Sequence, residues 1–429
     1  MKKRILLLTL LLSVLLALGA CGKNSDNIVV NGTQDTSLQE TEAVTTAYQK
    51  FDFDSVAESP AEDFETRIIG SGDAQMITIA AYLGDDTIVK IPSKIDGITV
   101  SMLNNEIFRN SNVTYVYIPD SVSTLGTSTF LECHNLKQVR LPENITYIPM
   151  DTFLDCESLE YVNIPDGVTG FGDGSFYGCK SLKQIDFPSE LEEIGYHAFL
   201  YSMIETVDLS KSLKIEYIGD SAFGECPSLK SVIFPTVFNV KDLHNIFSEC
   251  TNLRTFSVAD NDNGIAVVDN VLYNGTKLLF GAPANPIKNI TVKEGTTEIN
   301  KFAFHYSNIE SVKIPDSCKE IDQKAFKECR NLKNVDFGNG IETISHSSFE
   351  GCDSLETVVL PASLNYLGDG TFYSCDSLKR VTINSPFLTS DSVEMASVFK
   401  FSYDVVVNFS GKDYAYDQLN EMDAVIYNS

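Results

Sequence analysis

Phenylalanine returns along the chain with a stride of about 23 residues, at Phe108, Phe130, Phe153, Phe176, Phe199, Phe223 and Phe247, and again at Phe304, Phe326, Phe349 and Phe372. Other apolar residues keep a fixed offset from it, as in Leu136-x-x-Val139-x-Leu141, Leu159-x-x-Val162-x-Ile164 and Leu355-x-x-Val358-x-Leu360. The last apolar pair alternates with period two. This predicts a short strand with Val139 and Leu141 turned inward and Gln138 and Arg140 turned outward. Proline follows directly at Pro119, Pro142, Pro165, Pro188, Pro235, Pro315 and Pro361, where the missing backbone N–H ends the ladder. A second apolar pair then leads to glycine, as in Leu125-Gly126, Phe171-Gly172 and Leu367-Gly368, and the glycine suits the bend into the next unit. A unit this short cannot bury its own apolar face, so the period predicts a solenoid of stacked coils sharing one parallel sheet.

The blocks Phe130-Leu131-Glu132-Cys133-His134-Asn135-Leu136 and Phe372-Tyr373-Ser374-Cys375-Asp376-Ser377-Leu378, with the strands that follow them, resemble the BspA-like leucine-rich-repeat family of bacterial surface proteins. The resemblance covers roughly residues 75 to 384. It implies a leucine-rich-repeat solenoid, here a right-handed curved stack of about 12 coils with terminal caps, and a role in adhesion or binding with varied partners. It brings no catalytic residues.

Between Phe247 and Phe304 the spacing is 57 residues where two strides need about 46, so one hairpin's worth of chain is inserted. Val271-Leu272-Tyr273 and Lys277-Leu278-Leu279 flank Asn274-Gly275, which predicts a two-residue type I′ turn. Asp260-Asn261-Asp262-Asn263-Gly264 resembles a calcium loop, but its glycine comes one place early and Val271 stands where the twelfth-position glutamate belongs. It reads as a turn.

Lys2, Lys3 and Arg4 precede an apolar stretch from Ile5 to about Leu16, and Leu18-Gly19-Ala20-Cys21 follows. The stretch is short for a bilayer span and fits a secretory signal. The tetrapeptide resembles a bacterial lipobox, which implies that Cys21 is lipidated, becomes the first mature residue and holds the body of the protein outside the cytoplasm. The predicted organisation is a signal peptide over 1–20, a lipidated cysteine and flexible acidic tether over 21–60, an N-terminal cap and first coil over 61–107, repeats over 108–255, a hairpin insertion over 256–288, repeats over 289–384, and a C-terminal cap over 385–429. The tether is rich in Thr, Ser, Asn, Asp and Glu, too polar to repay its ordering entropy. In the last segment, from Phe387 onward, no repeat is recognised.

The formal net charge is −27, or −30 once Lys2, Lys3 and Arg4 leave with the signal. Such a surface disfavours nucleic acid. Eight cysteines share one repeat position, three residues after phenylalanine: Cys133, Cys156, Cys179, Cys226, Cys250, Cys329, Cys352 and Cys375. Ser202 and Ser307 interrupt the series and leave groups of three, two and three. Neighbour pairing cannot satisfy groups of three, and equivalent side chains in stacked coils point in parallel, which is poor disulfide geometry. The expectation is buried free thiols filling small core sites, without zinc. His134, His197, His244, His305 and His346 fall at different repeat phases, so they should not converge and are expected on surfaces or loops. No catalytic constellation, metal or cofactor is expected.

Function then falls to the outward strand positions. Tyr115, Tyr117, Arg140 and Tyr161 are expected to cluster, continuing to Asp186 and Asp208, and tyrosine and arginine carry binding energy at interfaces. Tyrosines also stack on sugars. The expected protein is a monomeric, lipid-anchored adhesin that recognises a host or neighbouring-cell protein or glycan through its sheet face, with the lipid as its only membrane contact. A structural or envelope-organising lipoprotein is the alternative, and a hydrolase with a C-terminal site is a third.

Overall fold

The computed structural model describes residues 49–238, 240, 245–258, 264–388 and 395–420. They form a β-solenoid of about 14 turns, against the 12 expected. Most coils carry two short strands. One is the predicted Val-x-Ile strand, as in Ile88–Lys90, Tyr115–Tyr117, Gln138–Arg140 and Tyr161–Val162, which pair in parallel in that order. The other follows the proline and is only two residues long, as in Tyr147–Ile148, Gly170–Phe171, Glu193–Ile194 and Tyr217–Ile218, again parallel.

The interior obeys the repeat closely. The phenylalanines stack face to face in a column, Phe130 on Phe108 at 5.2 Å and Phe349 on Phe326 at 4.9 Å between ring centres. All nine described cysteines are buried and free. Their position has a use that packing alone does not explain, because each thiol of the column donates to the carbonyl of the phenylalanine one coil back. Cys133 reaches Phe108 O at 2.8 Å, Cys156 reaches Phe130 O at 3.1 Å and Cys329 reaches Phe304 O at 3.0 Å. Burial pushes the Cys156 and Cys352 thiols far up and Cys375 to about 12, which keeps them protonated as donors.

The two residues bracketing each phenylalanine at −2 and +2 adopt positive φ, for example Ser128 and Glu132 or His197 and Tyr201. These supply the tight bend. The glycines after the second apolar pair do not: Gly172, Gly195 and Gly219 have ordinary φ, but a Cβ there would lie 2.5 Å from atoms of the preceding coil. Close approach between coils, and not conformational freedom, is therefore what requires glycine at this position.

The sheet face is divided into segments. One ends at Val162 and the next runs from Thr206–Asp208 through Ser231–Phe234 to Thr255–Val258, so Gln184 to Asp186 lie in a coil without a strand. Asn163 trims this first segment on the side of the preceding coil. Its amide accepts from Leu141 N at 2.7 Å and donates to Leu141 O at 3.1 Å, taking the place of backbone pairing.

After Val258 the insertion forms an antiparallel meander of Ile265–Val268, Val271–Asn274 and Lys277–Gly281, whose last strand pairs in parallel with Glu298–Ile299. Its turns differ from expectation. The type I′ signature lies at Asp269-Asn270, both with positive φ, between paired Val268 and Val271. Asn274 ends a strand, and the second turn is Gly275-Thr276 with only Gly275 at positive φ. Most of the calcium-like stretch, 260–263, lies outside the described residues.

Both ends differ from the predicted organisation. At the start, Phe64–Ile69 and Met76–Tyr82 form an antiparallel hairpin, and Phe64, Tyr82 and Phe108 close the ring column at 5.6 and 5.2 Å. Residues 49–59, assigned to the tether, are packed onto the solenoid. At the other end the repeat continues for one more coil. Phe399 stacks on Phe372 at 5.6 Å, Ser402 takes the cysteine position and donates to Phe372 O at 2.7 Å, and Val406–Phe409 pairs in parallel with Arg380–Ile383. Lys412–Ala415 then turns back antiparallel and covers the edge. Serine in place of cysteine and valine in place of leucine hid this coil.

Candidate binding surface

The outward residues of the first coils do come together, but they are not bare. Tyr115 and Tyr117 sit side by side on one strand. The strap formed by residues 49–59 lies across them, with Phe51 stacked on Tyr115 at 4.0 Å and 15° and Phe53 tilted over Tyr117 at 5.7 Å. Outward-pointing Gln138 is only 4 % exposed for the same reason. Its amide accepts from Phe51 N and donates to Gln49 O, both at 2.9 Å. Lys90 holds the strap from the side, its ammonium donating to Phe53 O and Val56 O at 3.0 Å, while Ser59 N donates to Lys90 O at 2.8 Å. Asp52 caps the short turn of Phe53–Ser55 by accepting from Asp54 N.

Arg140 is committed within the chain. Its guanidinium grips both carboxylate oxygens of Asp120, at 2.5 and 2.9 Å, donates to Ile118 O and lies 5.0 Å over the Tyr117 ring. The hydrogen bonds from Arg140 hold the Asp120 carboxyl below its ordinary range. Tyr161 is half-buried one strand further on, and Asp186 and Asp208 are exposed; Asp208 accepts from Ser210 N at 3.0 Å. The predicted cluster thus divides into a covered end, Tyr115 and Tyr117, and an open stretch from Tyr161 to Asp208, with Arg140 at the border. Cys21 lies outside the described residues.

A second surface feature was not anticipated. On the bend side of the coils, Asp155, Tyr177, Lys180, Tyr201, Met203 and Glu225 line an open cleft of about 440 Å³. Tyr177 and Tyr201 meet edge to face at 5.4 Å, and Lys180 pairs with Glu157 at 2.8 Å. Only stacking brings these tyrosines together, because one stands one residue after its phenylalanine and the other two.

The described histidines are scattered, as their repeat phases require; His244 lies outside the described residues. His134 donates to Asp155 O, and His346 accepts from Asp369 N and donates to the Tyr366 hydroxyl. His305 departs from the surface expectation. It is half-buried where the insertion meets the second stack, and its Nδ1–H donates to Asn245 Oδ1 at 3.1 Å. Desolvation, with Lys327 and Lys324 nearby, lowers it to about 4. Among the described residues no three His, Cys, Asp or Glu side chains group as metal ligands would, and no helix is long and apolar enough to cross a membrane.

Comparison with known proteins agrees with this architecture. A leucine-rich cell surface protein from Faecalibacterium prausnitzii superposes with a TM-score of 0.59 at 24% identity, over 88% of this chain and 99% of that one. The pneumococcal vaccine antigen PcpA gives 0.57 at 16% identity, over 86% and 96% of the two chains. A leucine-rich repeat protein from Eubacterium ventriosum gives 0.51 at 20% identity, over 78% and 80%. No curated protein matches. The profile of the BspA type leucine rich repeat region matches residues 101–216, 208–279 and 282–397 in six copies. With coils, phenylalanine column and profile in agreement, the chain belongs to the BspA-type leucine-rich-repeat family.

Proposed function

We propose that this is a lipid-anchored surface protein that binds a protein of a host or of a neighbouring cell through its sheet face, by complementarity and without chemistry. The observation carrying this reading is the contrast between the two sides of each strand. Inward residues such as Val139, Val207 and Val232 repeat and are buried. Beyond the strap, outward residues change from coil to coil and stay accessible, as at Asp186, Thr206 and Asp208. A stiff stack offering varied side chains at strand spacing suits a large ligand. The cell-surface name of the Faecalibacterium relative and the lipobox-like Leu18-Gly19-Ala20-Cys21 support an extracytoplasmic, anchored location.

Tyr161, Asp186 and Asp208 form the ligand contact, bordered by Arg140. The test is binding of residues 49–429 to immobilised host-matrix proteins, beside a Tyr161→Ala/Asp186→Lys/Asp208→Lys variant with unchanged circular dichroism. Binding lost in the variant supports the reading, binding retained moves the site elsewhere, and no binding by either favours the envelope-organising role. Incorporation of labelled palmitate into the full chain, absent in Cys21→Ser, tests the anchor.

A second reading rests on the Tyr177–Tyr201 cleft, where two aromatic rings with Asp155 and Glu225 beside them suit a sugar ring. Stacking supplies the apolar contact and the carboxylates accept hydroxyl protons. A glycan array with the protein and with Tyr177→Ala/Tyr201→Ala separates this from the sheet-face reading.

A further inference from the structure

The strap is arranged like a bound peptide. The solenoid core does not need it, because the inward residues under it are already enclosed: Val116 and Ile118 are 0 % exposed and Val139 is 1 % exposed on the opposite side of the strands. It lies on the outward side, which later coils leave accessible. Its two phenylalanines, one residue apart from each other, take two adjacent tyrosine rings. The amide of Gln138 reads the strap backbone in both directions, accepting one N–H and donating to one carbonyl, so it would pair with any extended chain whatever its side chains. Lys90 adds two more bonds to backbone carbonyls. The rings supply selectivity for aromatic residues and the amide and ammonium supply sequence-tolerant hold, which is the division of labour found where peptides dock on a sheet.

We infer that the sheet face of the first coils is a recognition site for an aromatic-x-aromatic segment of a partner protein, and that Phe51 and Phe53 occupy it in cis. This extends the reading of the sheet face as a binding surface to its covered end. The strap competes from within the molecule at an effective concentration on the order of millimolar, so an incoming segment must displace it or find it drawn away. Pull on the residues before Gln49 would uncover the site.

The test uses the protein from residue 22 onward and a fluorescein-labelled synthetic peptide of residues 49–56 as probe, read by polarisation. Weakening the cis competitor with Phe51→Ala/Phe53→Ala should raise peptide affinity at least tenfold over wild type. Adding Gln138→Ala or Tyr115→Ala to that variant should lower it again by tenfold or more. Thermal melts check that each variant remains folded. A folded strap variant that binds the peptide no better than wild type overturns the inference, as does binding indifferent to Gln138 and Tyr115. A wild-type dimer in light scattering that dissociates on Phe51→Ala/Phe53→Ala would also overturn it, since the site would then take the strap of a second copy. Because the probe is the chain's own strap, the result does not depend on whether a matrix protein binds at Asp186 and Asp208.

Discussion

Within each of the two stacks, before and after the insertion, a group in one coil finds its partner one coil back, whereas at the joint between them three buried side-chain atoms find none. In the stacks the rings face one another, Phe176 on Phe199 at 5.0 Å and Phe304 on Phe326 at 5.1 Å, and the column thiols donate to the preceding phenylalanine carbonyls. At the joint Phe247 meets Phe280 edge-on at 5.8 Å and 79°. Gly281 lies so near Phe304 that a Cβ would be 2.3 Å from its ring. Three buried polar atoms of the first coil after the insertion, His305 Nε2, Ser307 Oγ and Asn308 Oδ1, have no hydrogen-bond partner, against Ser175 Oγ alone elsewhere among the described residues. Translation along the solenoid is what satisfies buried groups, and an insertion that displaces the preceding coil removes the complement.

The largest break in that comparison comes from the column itself. Phe326→Ala, with a stacked ring on either side, should cost about 3–5 kcal/mol of unfolding free energy in urea titrations. Phe280→Ala at the joint should cost about 1 kcal/mol less, because its ring has an edge contact in place of two faces. Equal losses would mean that the joint is packed as well as the stacks.

The joint should also be the acid-sensitive part. His305 keeps Nδ1–H on Asn245, so a second proton would sit on buried Nε2 with no acceptor, and Lys324 and Lys327 oppose it while Glu350 favours it weakly. The unfolded histidine protonates near 6.5 and the folded one only near 4. The unfolded state therefore binds more protons in that window, and stability present above pH 6.5 is lost as pH falls toward 4, by up to about 3 kcal/mol. His305→Gln should remove this share of the slope between pH 7 and 4.5. An unchanged slope would assign the acid loss to carboxylates elsewhere.

What the sequence made legible was whatever repeats. Phenylalanine stride, inward pairs, terminating prolines and parallel thiols all follow from translation of one unit, and the structure agrees at each. Non-repeating contacts were hidden. The strap reads as tether because its composition is polar, and Gln138, which recognises it, lies 87 residues from Phe51. Asn163 looks like any outward strand residue until its amide is found bonded to Leu141. The coil at Phe399 was within reach, since Ser202 and Ser307 already stood at the cysteine position and Ser402 repeats that exchange. The glycine positions were legible but their reason was not, because the close approach involves the backbone of a coil about 23 residues earlier.

The finest contrast is between two small side chains at the same repeat position. Cys352 donates to Phe326 O at 3.3 Å inside the second stack. Cys352→Ala leaves that carbonyl without its thiol and opens a small void, at a cost of about 1–2 kcal/mol. Ser307 stands at the equivalent place in the first coil after the insertion, 2 % exposed and with its hydroxyl unpartnered. The place of the preceding column phenylalanine is taken by Gly281 of the insertion, whose N–H donates to Ala303 O at 2.7 Å. Ser307→Ala removes a buried polar group that repays nothing, so it should be neutral or stabilising by up to about 1 kcal/mol. Urea midpoints of the two variants decide the matter. Opposite or clearly unequal effects confirm that partners come from the preceding coil, and a loss at Ser307 as large as at Cys352 would mean that the joint supplies an acceptor by another route.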